Sequence, residues 1–327
     1  MNAPPVVPPA SSGAPRPFWS VMIPTYNCAR FLGETLRSVL AQDPGPEQMQ
    51  IAVVDDHSTA DDPQAVVREV AGQRVEFYRN PRSLGAPGNF NQCIAHARGQ
   101  WIHILHGDDA VRPGFYQRLA EAAKAGPNVG AAFCRTIVMD EDGNWLEIQE
   151  LLDKKPGLLH KLLPTLAVRN VIATPGIVVA AFVYSRIGRF NPALVHSADW
   201  DMWKRIATTF SVWYEPTPLA LWRQHAHQDT ARLAKLAGDL ADIRKAIILS
   251  RSYLPQSQCG AWLAASRRFY AFYGLRQAQE RFRRGFWRSG LHYLIEALKT
   301  STHPAVLLRV PLALLRGLAG KRGTPWP

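Results

Sequence analysis

Trp101-Ile102-His103-Ile104-Leu105-His106-Gly107-Asp108-Asp109 is the stretch on which the fold is decided. An apolar run this short, ended by glycine and two acids, reads as a buried strand that opens into a polar loop. Outward from it the pattern recurs. Ser20-Val21-Met22-Ile23-Pro24 stops at Thr25-Tyr26-Asn27, and residues 50–54 stop at Asp55-Asp56-His57-Ser58. A further strand is expected at 75–78. Between the strands, residues 31–40 place Phe31, Leu32, Leu36, Val39 and Leu40 at helical spacing, and 61–70 and 89–97 also read as helices. Strands alternating with helices imply an α/β domain with a mostly parallel sheet and right-handed crossovers. Ligands bind such sheets at the carboxyl ends of the strands, where three of the polar clusters fall.

Residues 112–230 mix a helix expected at 115–125 with strands near 131–139 and 212–222. They also carry His196-Ser197-Ala198-Asp199-Trp200-Asp201-Met202-Trp203. Residues 231–327 are rich in Arg and Leu and lack strand alternation, so they read as a helical extension. Charge separates the regions. The chain carries a net +12, and residues 231–327 alone hold 17 basic and four acidic side chains, or +13. The whole excess therefore sits at the C-terminal end, a surface for anionic phosphates. Residues 1–17 read as a disordered leader. The cysteines (Cys28, Cys93, Cys134, Cys259) have neither disulfide nor metal spacing, which fits reduced thiols in a cytoplasmic protein. There is no GxGxxG after the first strand and no GxxxxGK[ST], which argues against the dinucleotide and P-loop classes.

Asp108-Asp109 reads two ways. The pair can cap a helix, or it can hold Mg2+ or Mn2+ against a diphosphate whose charge must be neutralised. Asp55-Asp56 is either an Asx-turn or an acceptor for a nucleobase N–H or ribose hydroxyl. Asp199 and Asp201 do not share a helical face, so one should be available as a base for an acceptor hydroxyl. His225, His227, Gln228 and Asp229 form a polar cluster that by itself is either loop polarity or a metal site.

Taken in order, these residues resemble family-2 glycosyltransferases of the GT-A fold. The matching run is 21–27 (VMIPTYN), 53–59 (VVDDHST), Asn80, Gly85, Asn91, 99–102 (GQWI), 105–109 (LHGDD), Pro113, 199–205 (DWDMWKR) and 222–225 (WRQH). The resemblance covers about residues 18–230. It implies a Rossmann-like GT-A domain over 18–230, followed by the helical region at 231–327. It also implies a nucleoside-diphosphate sugar donor (UDP-sugar favoured), a Mg2+ or Mn2+ ion, and inversion at the anomeric carbon. By matched position, Pro24, Thr25, Asn27, Asp55, Asp56, Asn91 and Asp108 bind the donor. Asp108, Asp109 and His225 are placed at the metal or diphosphate, and Asp199 matches the catalytic base. The chain departs from the pattern at His106 (an acid in relatives), at Phe90 (often Arg) and at Ala198 (Glu).

The resemblance further implies a glycan or lipid-linked acceptor in bacterial surface polysaccharide or glycolipid synthesis. Residues 305–318 are too short and too charged to span a bilayer but suit an interfacial helix on anionic lipid, at the inner face of the membrane. A helical cap with a solvated basic face is the other reading of this region. Nucleic acid is not an expected partner, because the first segment lacks a basic face with interleaved aromatics. A sugar-nucleotide-binding protein with weakened catalysis is the remaining alternative.

Overall fold

The computed structural model describes residues 16–226 and 233–319, with backbone alone for 316–319. The expected leader up to residue 15, and His227, Gln228 and Asp229, lie outside the described residues. The chain divides into two compact units. The first holds Met1–Leu162, Val171–Val195 and Arg205–Gln224; the second holds Leu163–Asn170, His196–Lys204 and His225–Pro327.

The first unit is built on one sheet. Its leading strands are β1 (Trp19–Thr25), β2 (Met49–Asp55), β3 (Glu76–Arg79) and β4 (Trp101–Ile104). Every residue of β1 and β2 is buried, and both are mainly apolar, as strands covered on two faces must be; the polar Ser20 and Gln50 at their starts bond each other at 2.6 Å. Helices α1 (Ala29–Leu40), α2 (Pro63–Ala71) and α3 (Gly85–His96) make the crossovers. Of the five apolar residues at helical spacing, Leu40 is half-buried and helix α1 buries the other four, Phe31, Leu32, Leu36 and Val39. Each such side chain contributes about 1.5–3 kcal/mol. Helix α2 starts at Pro63 because Asp62 accepts a hydrogen bond from the Ala65 amide at 3.1 Å.

The later strands are β5 (Ala110–Val111), β6 (Val129–Met139), β7 (Trp145–Ile148), β8 (Gly157–Leu158), β9 (Ile177–Ala180) and β10 (Ser211–Arg223). The sheet order is β3-β2-β1-β4-β9-β6-β10-β5, with β7 on β6 and β8 on β10. Strand β9 runs antiparallel to both β4 and β6, so β6 and β10 point the same way as β1 to β4. Six strands therefore share one direction, and the sheet is mostly parallel. The β10 register shifts around Pro218, which cannot donate to the ladder. The helix expected at 115–125 divides into α4 (Phe115–Leu119) and a 3-10 turn over Ala120–Lys124. Register places Thr25 level with Asp55 on β1 and β2.

The second unit is helical. It takes most of α5 (Leu162–Val168) and the start of α7 (Ala198–Thr209), while α6 (Ala181–Ile187), between them in sequence, belongs to the first unit; it continues through α8 (Gly238–Leu249), α9 (Gln256–Arg283), α10 (Trp287–Thr300), α11 (Pro304–Leu307) and α12 (Val310–Ala319). Gly274 and Gly290 allow its helices to approach: a Cβ at Gly274 would meet Leu240 and Ala297, and one at Gly290 would meet the Phe282 ring. The buried Asp239 carboxylate accepts from the Tyr293 hydroxyl at 2.7 Å and the Tyr273 hydroxyl at 3.2 Å. The segment 305–318 falls on α11 and α12. Among the described residues no helix is long and apolar enough to cross a membrane. All four cysteines are free.

Candidate active site

The carboxyl ends of β1 and β2 are tied together by short polar contacts. Asn27 adopts φ +50°, a left-handed conformation that Asn tolerates. Its side-chain oxygen accepts from the Thr59 and Ala60 amides at 2.9 and 3.0 Å, and its own amide donates to Ser58 Oγ at 2.8 Å. Asp55 is fully buried. It accepts from the Ser58 amide at 3.1 Å and from Ser58 Oγ, and it pairs with Arg79 at 2.9 Å. Asp56 accepts from Asn80 Nδ2 at 2.8 Å, Ser83 Oγ at 2.8 Å, and the Leu84 and Gly85 amides at 2.9 Å each. Those two amides open α3, so Asp56 caps that helix from another element. Asn91 is also engaged: its side chain donates to the Phe190 carbonyl and accepts from the Phe190 amide, both at 3.0 Å.

The loop after β4 differs. Gly107 donates to the Pro24 carbonyl at 3.0 Å, and a Cβ there would press on Thr25 Oγ1 and Cys28 Sγ at 3.0 and 3.1 Å. A small residue is what lets this loop lie on the end of β1. Beyond it, His106, Asp108 and Asp109 place one ligand atom each within 4.8 Å of one another. Asp108 and His106 are half-buried, and Asp109 is buried. Asp109 Oδ1 accepts from the Arg223 amide at 2.9 Å. The other oxygen, Oδ2, is buried without a donor in hydrogen-bond geometry, and His106 Nδ1 lies 3.2 Å from it. Burial first, and the neighbouring Asp108 charge second, push the Asp109 carboxyl up from 3.8 to about 6. A buried, underbonded carboxylate beside a second acid and an imidazole is a donor set that suits a divalent cation.

Two residues to which the sequence assigned no role hold this loop. Arg223, the last residue of β10, is 2 % exposed. Its Nε donates to the Asp108 carbonyl at 3.0 Å, its Nη1 to the Glu141 carbonyl at 3.1 Å, and its Nη2 to the Glu34 carboxylate. Buried Thr35, on the inner stripe of α1, sets its hydroxyl 2.6 Å from the Asp109 carbonyl and 3.1 Å from that of Gly107. A polar residue on an otherwise apolar helix face was the available sign of Thr35. Arg223 has no such local sign, because its partners lie more than 80 residues away. His103, inside β4, bonds the Tyr116 hydroxyl and the Pro175 carbonyl, and burial lowers its pKa to about 3. It is a neutral packing group.

In the second unit, α7 carries both acids. Asp199 is half-buried, with Asn170 Nδ2 donating to its Oδ2 at 3.2 Å and the Trp200 amide to its Oδ1 at 2.6 Å. Asp201 is 3 % exposed and accepts from the Tyr253 hydroxyl at 2.8 Å. Lys204 is fully buried, its Nζ 3.7 Å from the centre of the Trp200 ring and bonded to Ser250 Oγ. Ala198 is buried, and His225, half-buried, belongs to this unit too.

Residues 20–184 match the family described as "Glycosyl transferase family 2", and the chain belongs to that family. Among curated proteins it is 31 % identical over 242 residues to the uncharacterized protein MT1568 of Mycobacterium tuberculosis, covering 69 % of this chain and 73 % of that one. It is 36 % identical over 104 residues to the succinoglycan biosynthesis protein ExoO of Rhizobium meliloti, covering 32 % of this chain and 29 % of that one. Among solved structures, S. aureus TarS 1-349 in complex with UDP-GlcNAc aligns with TM-score 0.62 at 15 % identity, over 93 % of this chain and 89 % of that one. The mannosyltransferase PcManGT from Pyrobaculum calidifontis, in complex with GDP-Man and Mn2+, aligns with TM-score 0.57 at 18 % identity, over 92 % and 80 %. These likenesses establish the fold as GT-A with a C-terminal helical region.

Proposed function

We propose that this chain transfers a sugar, with inversion, from a nucleoside-diphosphate donor (a UDP-sugar in the first place) to a hydroxyl of a glycan or lipid-linked acceptor. The observation that carries this reading is Asp109, a carboxylate held buried and short of one donor, next to Asp108 and His106 at a strand end. Asp108 and Asp109 would hold a Mg2+ or Mn2+ ion, which would supply Lewis-acid stabilisation of the charge on the departing diphosphate. Arg223 and Thr35 fix the backbone that carries the two acids. Pro24, Thr25, Asn27, Asp55, Asp56 and Asn91 shape the donor pocket, mainly by holding the loops at the strand ends. The matched positions assign the base to Asp199: it takes the acceptor proton as the hydroxyl oxygen bonds to the anomeric carbon and the bond to the diphosphate breaks. They also assign His225 to the diphosphate or the cation. Asp199, half-buried where Asp201 is buried and bonded by Tyr253, is the better placed of the two to meet a substrate. The nucleotide sugars and Mn2+ in the TarS and mannosyltransferase complexes support the donor and metal, and the name of ExoO supports polysaccharide synthesis. A thermal-shift panel of nucleoside diphosphates with Mn2+, followed by an assay of UDP release from UDP-sugars, tests the reading. Stabilisation without release would favour a binding protein over an enzyme. Failure of every nucleotide to stabilise the fold would end both.

The same proposal places the chain at the cytoplasmic face of a membrane. Trp287, Leu291 and Ile295, 52 %, 52 % and 42 % exposed, stand four residues apart along α10, and Tyr293, Leu294 and Ala297 are buried on another face. Phe286 precedes them at 60 % exposure. Arg283, Arg284 and Arg288 surround the start of that stripe in sequence. Apolar side chains among cations fit the interface of an anionic leaflet, where each engaged Lys or Arg is worth about 1 kcal/mol. Co-sedimentation with anionic vesicles should fall with salt and with Trp287→Ser/Leu291→Ser. If the intact chain ignores anionic vesicles at low salt, the helical-cap reading replaces this one.

A further inference from the structure

His106 and Phe90, the two departures from the family pattern that belong to the first unit, are in contact. Their rings stack with centroids 5.2 Å apart and planes 11° from parallel. Phe90 is itself held edge-on by Phe190, with centroids 5.3 Å apart. Phe190 in turn is fixed by both hydrogen bonds of the Asn91 side chain. A line of contacts thus runs from Asn91 through Phe190 and Phe90 to an imidazole whose side chain stays 26 % exposed and whose Nδ1 sits 3.2 Å from Asp109 Oδ2.

We propose that His106 is a nitrogen ligand of the cation site and that Phe90 is the positioning residue that aims it, so that the site selects metals that accept imidazole over Mg2+. This rests on the metal-dependent reading above. Mg2+ and Ca2+ take oxygen ligands almost exclusively, whereas Mn2+ and, more strongly, Co2+ accept imidazole nitrogen. An acid at position 106 would offer a third carboxylate and favour the hard cations. The imidazole replaces it with a neutral, directional donor. Its value as a ligand depends on ring orientation, which groups outside the first coordination shell set. A flat aromatic wall fixes the plane of the ring without competing for its nitrogens.

The test uses the full-length chain with UDP at fixed concentration. Mn2+ binding is followed by electron paramagnetic resonance, with Mg2+ as competitor, and nitrogen ligation by electron spin-echo modulation. In the wild type, bound Mn2+ should show imidazole nitrogen modulation that His106→Ala removes, with Mn2+ preferred over Mg2+ by about tenfold or more. His106→Asp should bring that ratio toward one. Phe90→Leu should weaken Mn2+ binding severalfold in the wild-type background but cause no further loss on top of His106→Ala, since a positioning residue acts only through the group it positions. A Phe90 that merely packs would instead cost the same in both backgrounds. Mn2+ bound without nitrogen modulation, or a ratio that His106→Asp leaves unchanged, overturns this inference and leaves the metal-dependent reading standing. A folded chain that binds neither cation overturns both.

Discussion

Asp55-Asp56 and Asp108-Asp109 follow buried parallel strands of one sheet and look alike in sequence, yet their surroundings are opposite. The first pair is saturated. Ser58 and Arg79 occupy Asp55, while Asn80, Ser83 and two amides at the start of α3 occupy Asp56. In the second pair one oxygen of buried Asp109 is short of a donor and its carboxyl is pushed up to about 6. A carboxylate fully bonded inside the chain builds a loop, whereas a buried carboxylate oxygen left without a hydrogen-bond donor is suited to something that arrives from outside.

The sharpest break of this comparison is a swap of outcomes between the pairs. Asp108→Ala should lower transfer by about a thousandfold or more, the scale of losing metal stabilisation of a leaving group, while the melting temperature stays near wild type. Asp109→Asn should be similarly inactive and should change the pH dependence of stability. The folded-state value of Asp109, about 6, lies above its ordinary 3.8. The stability it contributes is therefore complete below about pH 4 and is lost as pH rises through 6. Urea denaturation between pH 4 and 7 should show this loss in the metal-free wild type and a flatter profile in Asp109→Asn.

Asp56→Ala should be the converse, a stability variant. It strands donors at the start of α3, and each charge-assisted bond is worth about 1.5–3 kcal/mol, so the denaturation midpoint should fall by the equivalent of roughly 3 kcal/mol or more. If the midpoint held and UDP affinity collapsed instead, Asp56 would be a ligand contact and the contrast between the pairs would fail.

A smaller effect extends the comparison to Asp199 and Asp201. Asp199→Asn should cut turnover by about a hundredfold with nucleotide affinity nearly intact, as loss of a positioned base does. Asp201→Asn should act mainly on stability through its bond with Tyr253. The reverse pattern in a kcat and KM comparison would move the base to Asp201. An effect on stability alone is expected at Lys204, whose burial depresses its pKa from 10.5 to about 7 against the pull of Asp201 and Asp199. Between about pH 7 and 10.5 the unfolded chain binds the proton that the folded chain has shed, so stability should rise with pH across that window. Lys204→Met should flatten the slope, measured as the denaturation midpoint against pH.

Much of the first unit was legible because its signals are local. Apolar runs at β1, β2 and β4, each cut by a polar cluster, announce strands whether or not the rest of the chain is known. The spacing of Phe31, Leu32, Leu36 and Val39 likewise fixes the inner face of α1. Less legible was β9, four apolar residues whose antiparallel place between β4 and β6 depends on partners far away in sequence. The helix expected at 115–125 was read too long, since apolar spacing does not reveal where an α-helix tightens into a 3-10 turn.

Sequence by itself determined the α/β alternation, the basic helical C-terminal region and which acids stand at strand ends, because hydrophobic periodicity and charge are properties of neighbours along the chain. Only tertiary structure decided which of those acids are spent on the fold. A carboxylate's role depends on how many donors surround it, and those donors come from distant residues: Leu84 and Gly85 for Asp56, Arg223 for Asp109. The stack of Phe90 on His106 belongs to the same category. Two residues that read in sequence as separate departures become one device only when α3 and the loop after β4 are folded against each other.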